Sequence, residues 1–94
     1  MYLFLGQSTV ISKRDIVGVF DLDNASTSRL TKAFLTGAQR AGQIVEVSPR
    51  ELPKSFVVCH RKGQTKVYLS QISPATLKKR AEDKFVAGNM ESSN

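Results

Sequence analysis

Residues 55–70 read SFVVCHRKGQTKVYLS, and this stretch decides the fold class of the 94-residue chain. Residues 55–60 and 66–70 are apolar runs rich in β-branched and aromatic side chains, and they flank the loop 61–65, which contains Gly63. Two strand-like runs joined by a short glycine-containing segment are typical of a β-hairpin. The stretch therefore predicts an antiparallel hairpin whose loop, residues 61–65, is strongly basic.

Four more segments upstream of the hairpin have strand composition. Residues 2–5, 9–11, 16–20 and 44–47 are short apolar runs bounded by polar or turn-forming residues. Gly18 lies inside the third run, where a glycine is typical of a bulge or of a close backbone approach. Glu46 alternates with apolar neighbours in the fourth run, which indicates that one face of that strand meets water or another subunit.

Residues 26–41 have the clearest helical pattern in the chain. The apolar residues of this segment follow the spacing of one helical stripe, namely Leu30, Ala33, Phe34, Gly37, Ala38 and Ala41. One of Ser26, Thr27 and Ser28 is predicted to cap the N-terminus, and Gly42 is predicted to end the helix. Gly37 has two interpretations. The helix approaches a strand or a partner closely at this residue, or the helix simply tolerates a glycine there.

A second helix is predicted to begin at Ser73 and Pro74, because serine caps a helix and proline suits its first position. Leu77 and Ala81 lie on one side of it, and the basic residues 78–80 lie on the rest. The order β-β-β-α-β-β-β-α predicts an α+β domain of antiparallel strands with two helices. A chain of this length supports one domain, which we place at residues 1–87, followed by a flexible tail at residues 88–94.

The side-chain inventory argues against catalysis. Cys59 and His60 are the only cysteine and the only histidine, and neighbouring residues of a strand point to opposite faces, so the two do not form a nucleophile–base pair. The sequence also has no cysteine-built metal site and no glycine-rich phosphate loop. We therefore predict no enzyme activity, no cofactor and no small-molecule substrate.

The sequence predicts a cytoplasmic protein without a membrane partner. No apolar run approaches the roughly 20 residues that span a bilayer. Residues 1–8 lack the basic segment of a signal peptide.

The net charge of +6 is concentrated in the second half of the chain. Residues 1–48 have a net charge of +1 and residues 49–94 a net charge of +5. One interpretation is a solvated face, whereas the excess taken as a whole supports an anionic partner. The candidate phosphate contacts are Arg50, Lys54, Arg61, Lys62 and Lys66. The consecutive basic residues 78–80 fan around a helix and do not form one reading face, whereas Arg61 and Lys62 on the hairpin suit phosphate contacts, so we predict backbone contacts rather than base readout.

Several apolar strands in so short a chain leave sheet edges that need cover. Contact with another copy, through edge strands or through the helix face that contains Gly37, would cover these edges. If the copies form a ring, each subunit places one basic loop on the rim of that ring. Such an array strengthens a weak phosphate contact through avidity. We therefore predict a homo-oligomer.

Long segments of the chain resemble the RemA/RemB family of small bacterial regulators. The similarity runs from Met1 to about Ala81 and is carried by YLFLG at 2–6, DIVGVFDLDN at 15–24, LPKSFVV at 52–58, VYLSQIS at 67–73 and TLKKRA at 76–81. The resemblance implies a regulator of biofilm-matrix and osmoprotection genes that binds double-stranded DNA. It also implies a ring-shaped homo-oligomer of α+β subunits, related to LytTR-type DNA-binding domains, that bends or wraps DNA around its rim.

The resemblance further implies DNA contacts from an arginine cluster just before the fifth strand. In this chain the cluster aligns with Glu51, Leu52 and Lys54, with Arg50 adjacent. Only Lys54 keeps a positive charge at a matching position, and Pro53 gives the loop a different shape.

Two outcomes are open for the DNA contacts. Either the hairpin residues Arg61, Lys62 and Lys66 make the DNA contacts in place of the arginine cluster, or this chain has lost those contacts. The alternative to a DNA-binding regulator is an oligomeric scaffold or protein-interaction module that does not bind DNA.

Overall fold

The strands of the chain form two sheets. The structure is a computed structural model, which describes residues 1–25 and 28–89. It confirms the α+β class that the sequence predicts. The strands are β1 (Tyr2–Gly6), β2 (Thr9–Ser12), β3 (Ile16–Asp21), β4 (Ile44–Glu46), β5 (Ser55–Arg61) and β6 (Gln64–Ser70). The helices are α1 (Leu22–Ala25), α2 (Arg29–Arg40) and α3 (Pro74–Asn89), and a 3₁₀ turn occupies Lys13–Asp15. The single-turn helix α1 and the 3₁₀ turn are additions to the predicted order.

The sheet order differs in one respect from the antiparallel arrangement that the sequence predicts. β1 and β2 form a separate antiparallel hairpin, and the four-stranded sheet has the order β3-β5-β6-β4. Three of its strands are antiparallel neighbours, but β4 pairs in parallel with β6, with Ile44 opposite Val67. The physical reason is α2, because a helical crossover carries the chain back to the end of the sheet at which β3 began, so β4 runs in the direction of β3. β6 has that direction too, since it is antiparallel to β5 and β5 is antiparallel to β3.

The β5–β6 hairpin is tighter than predicted. Arg61 pairs with Gln64, so the five-residue loop inferred from the sequence is wrong and the turn consists of Lys62 and Gly63. Both turn residues have positive φ, 52° at Lys62 and 80° at Gly63, as the two-residue turns that match strand twist require. The strands continue through polar residues because this end of the hairpin projects into solvent, where β pairing does not need apolar side chains.

Side chains on the two faces of the four-stranded sheet belong to two core clusters. One cluster joins the sheet to the β1–β2 hairpin and α3, and it consists of Leu3, Leu5, Ile11, Val47, Val57, Cys59 and Leu77. The other joins the sheet to α2 and consists of Ala38, Phe56 and Val67. The register of β3 against β5 shifts between Ile16 and Gly18, so the bulge, one of the two alternatives for Gly18, is confirmed.

Helix α2 buries less of its apolar stripe than the sequence pattern suggests. Ala38 is buried and Leu35 is half-buried, but Leu30 is 84% exposed and Phe34 is 41% exposed. The helix therefore rests on the sheet along a narrow line and leaves most of the stripe at the surface. A side chain at Gly37 would meet open space, which favours simple tolerance over close packing within the subunit.

The ends of the two long helices agree with the predicted signals. The Ser28 hydroxyl accepts a hydrogen bond from the Thr31 amide at 3.4 Å, and Gly42 has a φ of 72°. The other cap candidates, residues 26 and 27, lie outside the described residues. At α3 the Ser73 hydroxyl accepts from the Thr76 amide at 3.2 Å, and Leu77 is fully buried.

Helix α3 continues beyond the predicted domain boundary. Gly88 and Asn89 are its last two residues, and residues 90–94 of the expected tail lie outside the described part of the chain. None of the helices in residues 1–25 and 28–89 combines the length and apolar composition needed to cross a bilayer.

Candidate nucleic-acid interface

The five cations singled out by the sequence lie at opposite ends of the four-stranded sheet. Arg61, Lys62 and Lys66 lie on or beside the β5–β6 turn, which we call the hairpin end. Arg50 and Lys54 lie in the loop before β5, which we call the loop end. The length of β5, from Ser55 to Arg61, separates the two ends by about 20 Å at the usual rise of a strand. The structure therefore does not bring the predicted site together as one cluster.

The register of the hairpin explains why its cations share one face. Cys59 is opposite Lys66 and Arg61 is opposite Gln64, and side chains alternate along each strand. Arg61 and Lys66 therefore point to the face that carries the β1–β2 hairpin, while Lys62 lies at the turn itself. All three side chains are exposed.

The 3₁₀ turn adds cations to the hairpin end that the sequence analysis did not select. Asp15 Oδ2 lies 3.9 Å from Arg61 Nη1, which brings the neighbouring exposed residue Arg14 to this end of the sheet. Lys13 Nζ donates a hydrogen bond to the Ala81 carbonyl oxygen at 2.7 Å and so fixes the turn to α3. No sequence signal places Arg14 here, because the contact depends on how the 3₁₀ turn packs against the sheet.

The loop end is held in place by backbone hydrogen bonds. The Lys54 amide donates to the Ser70 carbonyl oxygen at 2.8 Å, and the Leu22 amide donates to the Lys54 carbonyl oxygen at 3.0 Å. These bonds leave the Lys54 side chain exposed.

Carboxylates distinguish the two ends electrostatically. Within the described residues, Arg50 and Lys54 share the loop end with four acidic side chains, which are Asp21, Asp23, Glu46 and Glu51. A cleft beside the hairpin end is lined by all three hairpin cations, and Asp15 is the only carboxylate among the described residues that line it. The hairpin end is therefore the more strongly positive of the two.

Cys59 and His60 lie on opposite faces of β5, as the strand alternation predicts. Burial, and secondarily the Asp15 carboxylate, raises the pKa of the Cys59 thiol from 9.0 to about 11, so the sulfur is protonated at neutral pH. His60 Nδ1 lies 3.0 Å from Thr65 Oγ1 on the other, exposed face. The thiol and the imidazole therefore do not act on a common atom.

The chain is therefore a small α+β protein with a basic hairpin end. Residues 3–81 match the family described as RemA-like, extracellular matrix regulatory protein A-like. The chain is also 40% identical over 85 residues to extracellular matrix regulatory protein B of Bacillus subtilis (strain 168), an alignment that covers 90% of this chain and 95% of that protein.

The chain belongs to the RemA-like family of extracellular matrix regulators. The names of the family and of this relative describe regulators rather than enzymes. The matched region extends from β1 into α3, so it includes both ends of the four-stranded sheet.

Proposed function

We propose that this protein is a DNA-binding transcriptional regulator of matrix genes, and that it grips the phosphate backbone chiefly through the hairpin end. The observation that carries the proposal is the grouping of Arg61, Lys62 and Lys66 around a cleft that contains one carboxylate, Asp15, among its described lining residues. Exposed Lys and Arg side chains neutralise phosphates and release counterions, which makes such binding tight at low salt and weak at high salt.

The hairpin end suits backbone contacts better than base readout. Its turn is only two residues long, so it presents cations at a tip rather than a row of polar side chains along a groove. The Arg and Lys side chains of the hairpin end are long, exposed and flexible, so they can reach phosphates that lie at variable positions on bent DNA. Binding is therefore expected to depend only weakly on sequence.

The loop end provides a secondary contact at most. Its two cations, Arg50 and Lys54, lie among four carboxylates, and Glu51 in particular repels phosphate. The separation of about 20 Å between the two ends corresponds to roughly six base-pair steps of duplex. Arg50 and Lys54 therefore touch a different stretch of backbone from the hairpin cations.

A homo-oligomer is the second part of the proposal, and exposed apolar side chains support it. A groove of about 310 Å³ between α2 and the edge strand β3 is lined by Val17, Phe20, Leu30, Thr31, Phe34, Phe56 and Val58. A second group of exposed apolar residues lies on the outer face of the β1–β2 hairpin, at Tyr2, Phe4 and Val10. Two different apolar surfaces on one chain favour head-to-tail contacts between copies, and such contacts form a ring when the rotation from copy to copy closes.

A salt titration of duplex DNA binding tests the first part. Arg61→Glu/Lys62→Glu is expected to weaken binding at least tenfold at low salt and to reduce the salt slope by about 0.9 for each phosphate that the variant no longer neutralises. Lys78→Glu/Lys79→Glu makes the same change of charge on the exposed side of α3 and serves as the matched control. Equal loss in both double variants, or wild-type affinity that does not fall with salt, contradicts the proposal.

Light scattering at micromolar concentration tests the second part. A mass several times that of the 10.4 kDa chain is expected. A monomeric mass removes the homo-oligomer.

A scaffold or protein-interaction module is the competing function. None of the hairpin cations lines the apolar groove, so contacts between copies through the groove do not require DNA binding, and this observation favours the scaffold. A defined oligomer that binds no duplex DNA at low salt selects this alternative.

A further inference from the structure

A cleft of about 360 Å³ lies between the β1–β2 hairpin and the face of the four-stranded sheet that carries Arg61 and Lys66. Its volume falls within the range of about 300–1,000 Å³ that is typical of small-ligand sites. The buried side chains Ile11 and Cys59 line it, and the hairpin cations stand at its polar side.

The charge of the cleft selects an anion. Arg61, Lys62 and Lys66 supply three positive charges, whereas Asp15 supplies one negative charge. The distance of 3.9 Å between Asp15 and Arg61 is longer than a hydrogen-bonded ion pair, so the guanidinium keeps donors for a ligand. A phosphate group, with several acceptor oxygens, matches this arrangement of cations.

The aromatic side chains of the cleft select more than a bare phosphate. Tyr68 lines the cleft from β6, where it also packs against the buried cluster, and Tyr2 lines the cleft from the outer face of the β1–β2 hairpin. Tyr68 is half-buried, and burial, with smaller contributions from Cys59 and Asp15, raises the pKa of its phenol. The phenol therefore stays protonated and can donate a hydrogen bond, and nucleobases stack on aromatic rings of this kind.

We propose that this cleft binds a nucleotide, with the phosphate held by Arg61, Lys62 and Lys66 and the base packed against the exposed part of Tyr68, beside Tyr2 at the mouth of the cleft. The site accommodates one nucleoside monophosphate by volume. Its chemistry requires both parts of the ligand, because the cations alone would accept any phosphate and the tyrosines alone would accept any planar ring.

A ligand in the cleft engages the same three cations that we assign to DNA. The nucleotide would therefore compete with duplex DNA for these cations. This competition rests on the proposed function. The binding itself does not depend on DNA and is measured without it.

Isothermal titration calorimetry of the full chain with GMP and AMP, at low salt and without DNA, tests the site. At least one of the two nucleotides is expected to bind, and guanosine, adenosine and inorganic phosphate are each expected to bind at least fivefold more weakly. Lys66→Ala and Tyr2→Ser are expected to weaken nucleotide binding at least fivefold, and both change exposed side chains, so the fold is retained. Lys78→Ala on α3 is the control and is expected to bind like the wild type.

Each other result overturns the site. Absence of binding at millimolar nucleotide removes it, and phosphate that binds as well as the nucleotides removes the role of the tyrosines. Unchanged binding in both cleft variants places the ligand elsewhere.

A competition assay separates the site from the proposed function. If the nucleotide binds in the cleft and the protein does not bind DNA, the site stands and the DNA-binding proposal fails. If DNA binds and neither nucleotide does, the reverse holds.

Discussion

The buried hydroxyl of Ser70 donates a hydrogen bond to the carbonyl oxygen of Leu5 at 2.8 Å, and this bond joins the four-stranded sheet to the β1–β2 hairpin. The same hydroxyl accepts from the Ile72 amide at 3.0 Å. Ser55, directly opposite Ser70 in the sheet, donates to the Ile72 carbonyl oxygen at 2.8 Å. Two fully buried serines thus fix the approach of the chain to α3.

Ser70→Ala is expected to lower the free energy of unfolding by about 1–3 kcal/mol, because it leaves the buried Leu5 carbonyl and the Ile72 amide without this partner. Urea unfolding followed by circular dichroism measures the change. Ser8→Ala, at an exposed position in the β1–β2 turn, is the matched control and is expected to change stability by less than about 0.5 kcal/mol. Equal stabilities of the two variants would show that the Ser70 bond contributes nothing.

Lys62→Asn is expected to raise stability and to weaken DNA binding. Lys62 has a φ of 52°, a conformation that asparagine adopts at lower cost, so a gain of roughly 0.5–1 kcal/mol in the free energy of unfolding is expected. Removal of its charge is expected to weaken duplex binding and to reduce the salt slope by the equivalent of about one phosphate. Thermal melts and the salt titration measure the two effects. A variant that gains stability with unchanged affinity would remove Lys62 from the interface.

Stability is expected to fall between pH 9 and about 11 because of Cys59. The folded state retains the thiol proton in this window while the unfolded state has lost it, so the folded state is favoured less as the pH rises. The loss amounts to at most about 2.7 kcal/mol for a shift of two pKa units. Urea unfolding at pH 8 and pH 10.5 measures it, and Cys59→Ala is expected to show a smaller decrease. An equal decrease in Cys59→Ala would assign the pH dependence to other groups.

Leu30→Glu is expected to reduce the mass of the proposed homo-oligomer with little effect on folding. Leu30 lines the apolar groove and is 84% exposed in the single chain, so a second copy seated in the groove would cover it. Leu52→Glu makes the same substitution at a position that is 89% exposed and outside the groove. Light scattering of both variants measures the effect, and an unchanged mass for Leu30→Glu would place the interface elsewhere.

The elements that the sequence predicts well are those with strong local signals. The cap at Ser28, the stop at Gly42 and the start of α3 at Pro74 follow from single side chains and their immediate neighbours. The bulge near Gly18 belongs to the same class, because a glycine inside an apolar strand is itself typical of an irregular register.

The features that the sequence misses depend on contacts between distant segments. Nothing local to residues 44–46 says that β4 lies beside β6 in parallel, because strand direction follows from the crossover. The exposure of Leu30 is likewise invisible in the helical pattern, since a stripe that packs on a sheet and one that packs on another copy have the same spacing.

The sequence predicts which residues belong to the candidate site but not where those residues lie relative to one another. The sequence selects Arg61, Lys62 and Lys66 by their charge, and the register of the hairpin then places two of them on one face. It groups them with Arg50 and Lys54, which the length of β5 carries to the other end of the sheet. Sequence proximity misleads here because a strand separates its ends by more than a side chain can span.

The two outer strands of the four-stranded sheet, β3 and β4, run in the same direction. A second copy that extends the sheet by placing its β3 beside the first copy's β4 therefore continues it in parallel, and each further copy repeats the same sense. Every turn at Lys62 and Gly63 then emerges on the same side. An assembly of this kind would be two-sided, with the hairpin cations along one rim and the mixed charges of the loop end along the other.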